Sequence, residues 1–189
     1  MALGLKPGEF WLGSTMIDGR PAFLTQQRHR LRHRDLVTGK TLKSRLLFKR
    51  DEFESAQLLA GSIGTMSSGV AAAAVELTLF KDTLRLIDLS TFEYFGAAVD
   101  TSDERTAVAL VSAGDDCDLL VSYDRLDGLD VRDPRTGRLI VGLSHLNIYD
   151  ANHDEDEEYE VGDALIATTP SGFVVLAVRN ELLTLKTTD

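Results

Sequence analysis

The chain has 189 residues, with 20 Lys and Arg against 30 Asp and Glu, a formal net charge of −10 and a pI of about 4.8. That length admits one domain or two small ones, and the acidic balance disfavours attraction of the whole surface to nucleic acid or anionic membrane. Cys117 is the one cysteine, which excludes an internal disulfide and therefore a disulfide-stapled secreted scaffold.

Taken in chain order, the first 20 residues show no apolar core of signal-peptide length and meet Lys6 and Glu9 early, so a cytoplasmic location is expected. A short β run follows at 22–25, then a segment of unusual charge. Residues 20–50 hold half of the basic residues and only Asp35 as an acid, a local charge of +9 that leaves −19 on the remainder. Its centre is Gln27-Arg-His-Arg-Leu-Arg-His-Arg-Asp35. Read as a strand, it places Arg28, Arg30, Arg32 and Arg34 on one face, and His29, Leu31 and His33 on the other. The spacing predicts one short helix at 51–61, which opens on acids and closes on Gly61. Gly61 to Val70 is rich in Gly and Ser and reads as a flexible connection; it lacks both the P-loop Lys-Ser/Thr pair and the Gly-x-Ser-x-Gly spacing. The apolar stretch at 70–79 contains Glu76 and is about half the length a bilayer requires. Beyond it come further short runs of Val, Ile, Leu and Thr between turn signals, and an acidic loop at 150–163 with eight carboxylates and no Lys or Arg.

A repeat organises these strands. Asp35, Asp88 and Asp133 are each followed by Thr three positions on, and preceded at two and four positions by His33 and Leu31, Leu86 and Leu84, Val131 and Leu129. Alternation of this kind turns one strand face into a core. The aspartate can bond to nearby N–H and hydroxyl groups, while Gly39 and Gly137 can supply positive φ. A fourth copy has Val178 in place of the aspartate, with Leu176 and Val174 as its apolar pair. The anchors at 35, 88, 133 and 178 are 53, 45 and 45 residues apart, and each copy has a further β run upstream.

The segments 31–40, 83–92 and 129–138 resemble the third-strand and turn signature of WD40-type repeats. The position of the signature tryptophan holds Arg34, Ile87, Arg132 and Ala177, and no Gly-His pair opens a blade. The resemblance implies an all-β fold, a small or partial β-propeller of about four blades in one repeat domain over 1–189. The repeats would run over roughly 10–50, 62–100, 106–144 and 146–187. A β-sandwich is the alternative.

The resemblance also implies a scaffold without chemistry. The expected function is therefore a protein-interaction module, not an enzyme, with no catalytic residue, metal or cofactor and no membrane. Its candidate contacts are Arg28, Arg30, Arg32 and Arg34 together with Asp154, Asp156, Glu157 and Glu158, meeting a protein partner or a second copy. Arginine forks about 6.5–7 Å apart suit carboxylates and phosphates. A plainer reading makes them the charge on an edge or outer strand, and a third pairs them with the acidic loop. The alternatives in function are polyanion or nucleic-acid binding through the arginines, less favoured because no aromatics interleave with them, and an uncharacterised hydrolase. The loop opening Asp150-x-Asn152-x-Asp154 matches the start of a calcium loop, but Glu155 and Val161 occupy the positions of its turn glycine and bidentate glutamate. His29 and His33 stand about 13 Å apart on a strand, too far to share an ion, and acids around Cys117 disfavour a thiolate.

Overall fold

The computed structural model describes residues 5–48, 54–78, 82–101, 105–112, 117–124, 128–144, 165–168, 173–178 and 181–186. The acidic loop, with Asp154, Asp156, Glu157 and Glu158, lies outside them. The described residues are all β, in four antiparallel sheets that follow the chain, and no sheet closes on itself. Sheet one is β1 (Phe10–Ile17), β2 (Arg20–Gln27), β3 (Arg30–Asp35) and β4 (Thr41–Leu46), in that order. Sheet two runs β5 (Ser55–Leu58), β7 (Ala71–Thr78), β8 (Asp82–Asp88) and β9 (Tyr94–Thr101), with β6 (Gly64–Thr65) also paired to β7. Sheet three is β10 (Arg105–Ser112), β11 (Asp118–Asp124), β12 (Gly128–Arg132) and β13 (Leu139–Leu143). Sheet four is β14 (Leu165–Thr168), β15 (Phe173–Val178) and β16 (Glu181–Lys186).

The helix expected at 51–61 is not formed. Residues 51–53 lie outside the described set, Ser55–Leu58 is strand β5, and Ala60–Ser62 makes a single 3₁₀ turn. The reason is a period of two: Ala56 and Leu58 are both buried while Ser55 and Gln57 are exposed, and β5 pairs along β7. The Gly/Ser stretch is likewise built into the second sheet. Ser62 is fully buried, its hydroxyl accepts from the Ala74 N–H at 2.7 Å, and Ser67 donates to the Asp118 carboxylate from both its N–H and its hydroxyl.

Burial of β7 on both faces explains how the sheets stack. Ala71, Ala73, Val75 and Leu77 enter a core shared with Leu12, Ile17, Leu24 and Leu31 of sheet one. Ala72 and Ala74 point the other way, into a core with Val108, Leu110 and Leu120 of sheet three. Alanine leaves room for both neighbours to approach, and every second side chain faces the opposite side. A third core joins Val121, Tyr123 and Leu129 of sheet three to Ile166, Val174 and Leu176 of sheet four.

The aspartate turns take the form the sequence predicts. Asp35 Oδ1 accepts from the N–H of Val37 and Thr38 and from the Thr38 hydroxyl. Asp88 Oδ1 accepts from Ser90 and Thr91 N–H and the Ser90 hydroxyl, and Asp133 Oδ1 from Arg135 and Thr136 N–H. The Thr38 and Arg135 N–H bonds foremost hold the Asp35 and Asp133 carboxyls below the usual range. At Asp88 burial pushes upward, and the bonds from Ser90 and Thr91 outweigh it. Positive φ falls at Gly39, Phe92 and Gly137, so the second turn uses a buried phenylalanine where the others use glycine. Of the expected core pairs, Leu31, His33, Leu84, Leu86, Leu129, Val174 and Leu176 are buried, while Val131 is half-buried. The fourth copy departs in phase. Leu31, Leu84, Leu86 and Leu129 face the following sheet, whereas Val174 and Leu176 face the preceding one.

Each docked turn sits on the outer strand of the sheet before it. Lys43 Nζ, from β4, donates to Ser90 O and lies 5.5 Å from the Phe92 ring centroid, and Arg45 pairs with Glu93. One sheet later, Ala97 N–H of β9 donates to Arg135 O at 2.9 Å. Gly96 is fitted to that junction: its φ is +70°, and a Cβ there would stand 2.5 Å from Pro134 O. Gly8 has the same φ with nothing within 4 Å of a built Cβ. Gly8→Ala therefore costs about 1–2 kcal/mol from backbone strain alone, and Gly96→Ala costs a further ~1–3 kcal/mol because the neighbouring turn must shift. Urea denaturation of the two variants checks this; equal losses would show that the turn does not bear on Gly96.

Candidate functional site

The expected arginine strand begins two residues late. Arg28 is not on it: Arg28 and His29 form the two-residue connection between β2 and β3, since Gln27 pairs with Arg30. Arg28 has φ +53°, a left-handed conformation that costs an L side chain about 1–2 kcal/mol. Nor is β3 an edge or outer strand. It runs between β2 and β4, and Thr25 and Phe23 stand opposite Arg32 and Arg34.

The four arginines divide into two kinds. Arg28 and Arg30 are exposed, whereas Arg32 and Arg34 are 8% and 6% exposed. What buries the second pair is Glu9, on the segment leading into β1. Arg34 Nη2 lies 2.7 Å from both Glu9 oxygens, with Nε at 3.1 Å from Oε1, so the contact is bidentate. Arg32 Nη1 stands 3.4 Å from Glu9 Oε1. Thr25 Oγ1 and the Lys6 N–H also donate to the carboxylate. Burial alone would raise the Glu9 pKa, but the bonds from Thr25, Arg34 and Lys6 and the Arg34 charge bring it down to about 2. One carboxylate against two guanidiniums leaves the buried cluster a positive charge in excess.

That excess opens onto a cleft. A depression of about 490 Å³ is lined by Pro7, Gly8, Gln27, Arg28, His29, Arg30, Arg32 and Leu46. Gln27 Oε1 accepts from Arg32 Nη2 at 2.9 Å, and Gln27 Nε2 donates to Pro7 O, so one amide orients the guanidinium and ties down the wall. Arg32 Nη1 and His29 Nδ1 are buried atoms without a hydrogen-bond partner. Gln26 holds the arginine turn from behind: its Nε2 lies 2.6 Å from Arg28 O and 2.9 Å from Ala56 O, and its Oε1 accepts from the Leu58 N–H. The sequence brings Arg28, Arg30 and Arg32 to this cleft and turns Arg34 inward. Glu9, Thr25, Gln26 and Gln27 were not singled out, because each is a single polar residue whose partner lies elsewhere in the chain.

His33 is buried beside this cluster, and burial draws its pKa below the ordinary 6.5. Among the described residues, no group of three or more His, Cys, Asp or Glu is placed to hold a metal ion. No described helix is long and apolar enough to cross a membrane. No family model matches the chain, and no curated protein matches it.

The Glu9 site sets an acid response. Its folded pKa of about 2 lies below the ordinary 4.5, so its contribution is complete above pH 4.5 and is lost as pH falls toward 2. At roughly 1.4 kcal/mol per pH unit this amounts to about 3 kcal/mol. Glu9→Gln strands Arg32 and Arg34 and lowers stability at neutral pH by ~3–5 kcal/mol. It also flattens the stability loss between pH 4.5 and 2 relative to the parent. Urea midpoints across pH measure both, and parallel pH profiles for the two proteins would contradict the assignment.

Proposed function

We propose that this chain is a protein-interaction module of WD40-like propeller type, whose four sheets act as blades and whose basic cleft receives carboxylate side chains of a protein partner. The observation that carries this reading is the junction of the exposed Arg28 and Arg30 with an Arg32 that Gln27 and Glu9 hold in place at the wall of the same cleft. Guanidiniums fixed by a second set of bonds lose less freedom on binding and engage carboxylates in two-point geometry. Leu46 and Pro7 offer carbon surface for the methylenes of a Glu or Asp side chain, and no Phe, Tyr or Trp lines the cleft to stack a base. The strained Arg28 turn fits the same reading, since strain is retained where a side chain is needed for contact.

For the blade arrangement, the supports are the consecutive antiparallel sheets, the three aspartate turns and the seating of the second and third of them on the preceding outer strand. In the same reading the acidic loop is a second contact surface, with Asp154, Asp156, Glu157 and Glu158 offered to basic groups.

A fluorescent hexaglutamate peptide and an oligothymidylate of equal length separate the candidate ligands by anisotropy. The peptide binds more tightly, and Arg28→Ser with Arg30→Ser weakens it by roughly tenfold or more at unchanged thermal stability. Tighter binding of the oligonucleotide, with a steep salt dependence, would transfer the cleft to nucleic acid. Arg28→Gly separates fold from function: it relieves positive φ, so stability holds or rises by up to ~1 kcal/mol while peptide affinity falls.

A further inference from the structure

The two turn-on-strand junctions leave over one turn, that of the first sheet, and two outer strands, β13 and β16. In the second and third sheets the residue after the aspartate, Leu89 or Pro134, is buried, because the turn rests on β4 or β9. In the first sheet the equivalent Leu36 is 37% exposed and Val37 is 72% exposed. That turn is folded like the others, with the same Asp35 N–H to Lys40 O and Gly39 N–H to Asp35 O bonds, but among the described residues it rests on no outer strand. The converse holds at β13. It is the outer strand of sheet three, and Leu139, Ile140 and Val141 are 46%, 47% and 43% exposed. The fourth sheet joins β15 to β16 across residues 179–180, with Val178 paired to Glu181, and so has no four-residue aspartate turn to lay on β13.

We infer that the first-sheet turn around Leu36 and Val37 docks on the exposed outer strand β13 of a second copy of this chain. The two cannot meet within one molecule, because sheet two separates them: its two faces are the ones packed on sheet one and on sheet three. A second copy supplies both elements in the form that already pairs twice inside the chain. The surfaces also agree in kind: Leu139, Ile140 and Val141 form an apolar run where β4 presents Lys43 and Arg45 to its turn, and among the described residues no strand pairs with the outer side of β13. The contact is head to tail at each junction, turn to strand, and does not use the arginine cleft. It is also apolar, so it differs from an association driven by the basic segment and the acidic loop.

Sedimentation equilibrium of the full chain, at low and high salt, provides the test. Reversible association that persists or strengthens in high salt is expected, as for an apolar junction. Val37→Asp and Ile140→Asp each weaken it roughly tenfold or more. Mixing the two variants restores a one-to-one complex, because the intact turn of the Ile140→Asp chain meets the intact strand of the Val37→Asp chain. Leu42→Asp, on the equally exposed outer strand β4, leaves association unchanged. Val37 contributes only its backbone N–H to the turn, so that variant stays informative if the strand variant fails to fold. A parent chain that is monomeric at every concentration, association abolished by salt, or a Leu42→Asp effect equal to that of Ile140→Asp would each overturn the proposal.

Discussion

In three of the four sheets a single aspartate carboxylate closes a turn by accepting N–H bonds from residues two and three positions on. This local bond fixes the chain so that its next strand returns antiparallel, and it presents the residue after the aspartate as a small apolar foot. In the second and third sheets that foot stands on the previous sheet, so a bond spanning three residues governs how sheets some 45–53 residues apart are spaced. Stacking then depends on thinness. The alanines of β7 let one sheet be buried on both faces without prying its neighbours apart.

The distribution of charge has the same two-level character. A local charge of +9 in a chain of net −10 suggests an open basic surface, but Glu9 takes two of the arginines inward. Removing one partner of a buried ion pair strands the other charge and is costly. Here the pair also sets geometry. It pins Arg34 against Gly39 O in the aspartate turn and leaves Arg32 facing the cleft from a fixed base. Arg132 repeats half of this arrangement in the third sheet, where it bonds Gly137 O and pairs with Asp130. In the first and third sheets the residue before the turn aspartate is thus an arginine that braces the turn, whereas in the second it is Ile87.

What could be read from residues alone was what depends on near neighbours. The all-β class, the turn chemistry of Asp35, Asp88 and Asp133 and the burial of Leu31, Leu84 and Leu129 follow from spacings of two to four residues. The helix expected at 51–61 gives way to a strand because acids before and glycine after a segment imitate helix ends, while the inward pair Ala56 and Leu58 obeys a strand period. Burial of Arg32 and Arg34 was hidden because it depends on Glu9, more than 20 residues away and unmarked by any motif. Arg28 was placed one element too far along, since nothing but the pairing of Gln27 with Arg30 reveals the reversal there. The fourth repeat shows the limit of pattern matching: its apolar pair is buried as expected, yet on the opposite face.

Gln26 carries an implication that reaches past the cleft. Its side-chain amide grips Arg28 O with one hydrogen-bonding group, and its oxygen takes the Leu58 N–H on the edge strand of the next sheet. One uncharged amide therefore ties the tip of the β2–β3 hairpin to the edge strand of the second sheet, so any occupant proposed for the arginine turn would act on the join between two sheets.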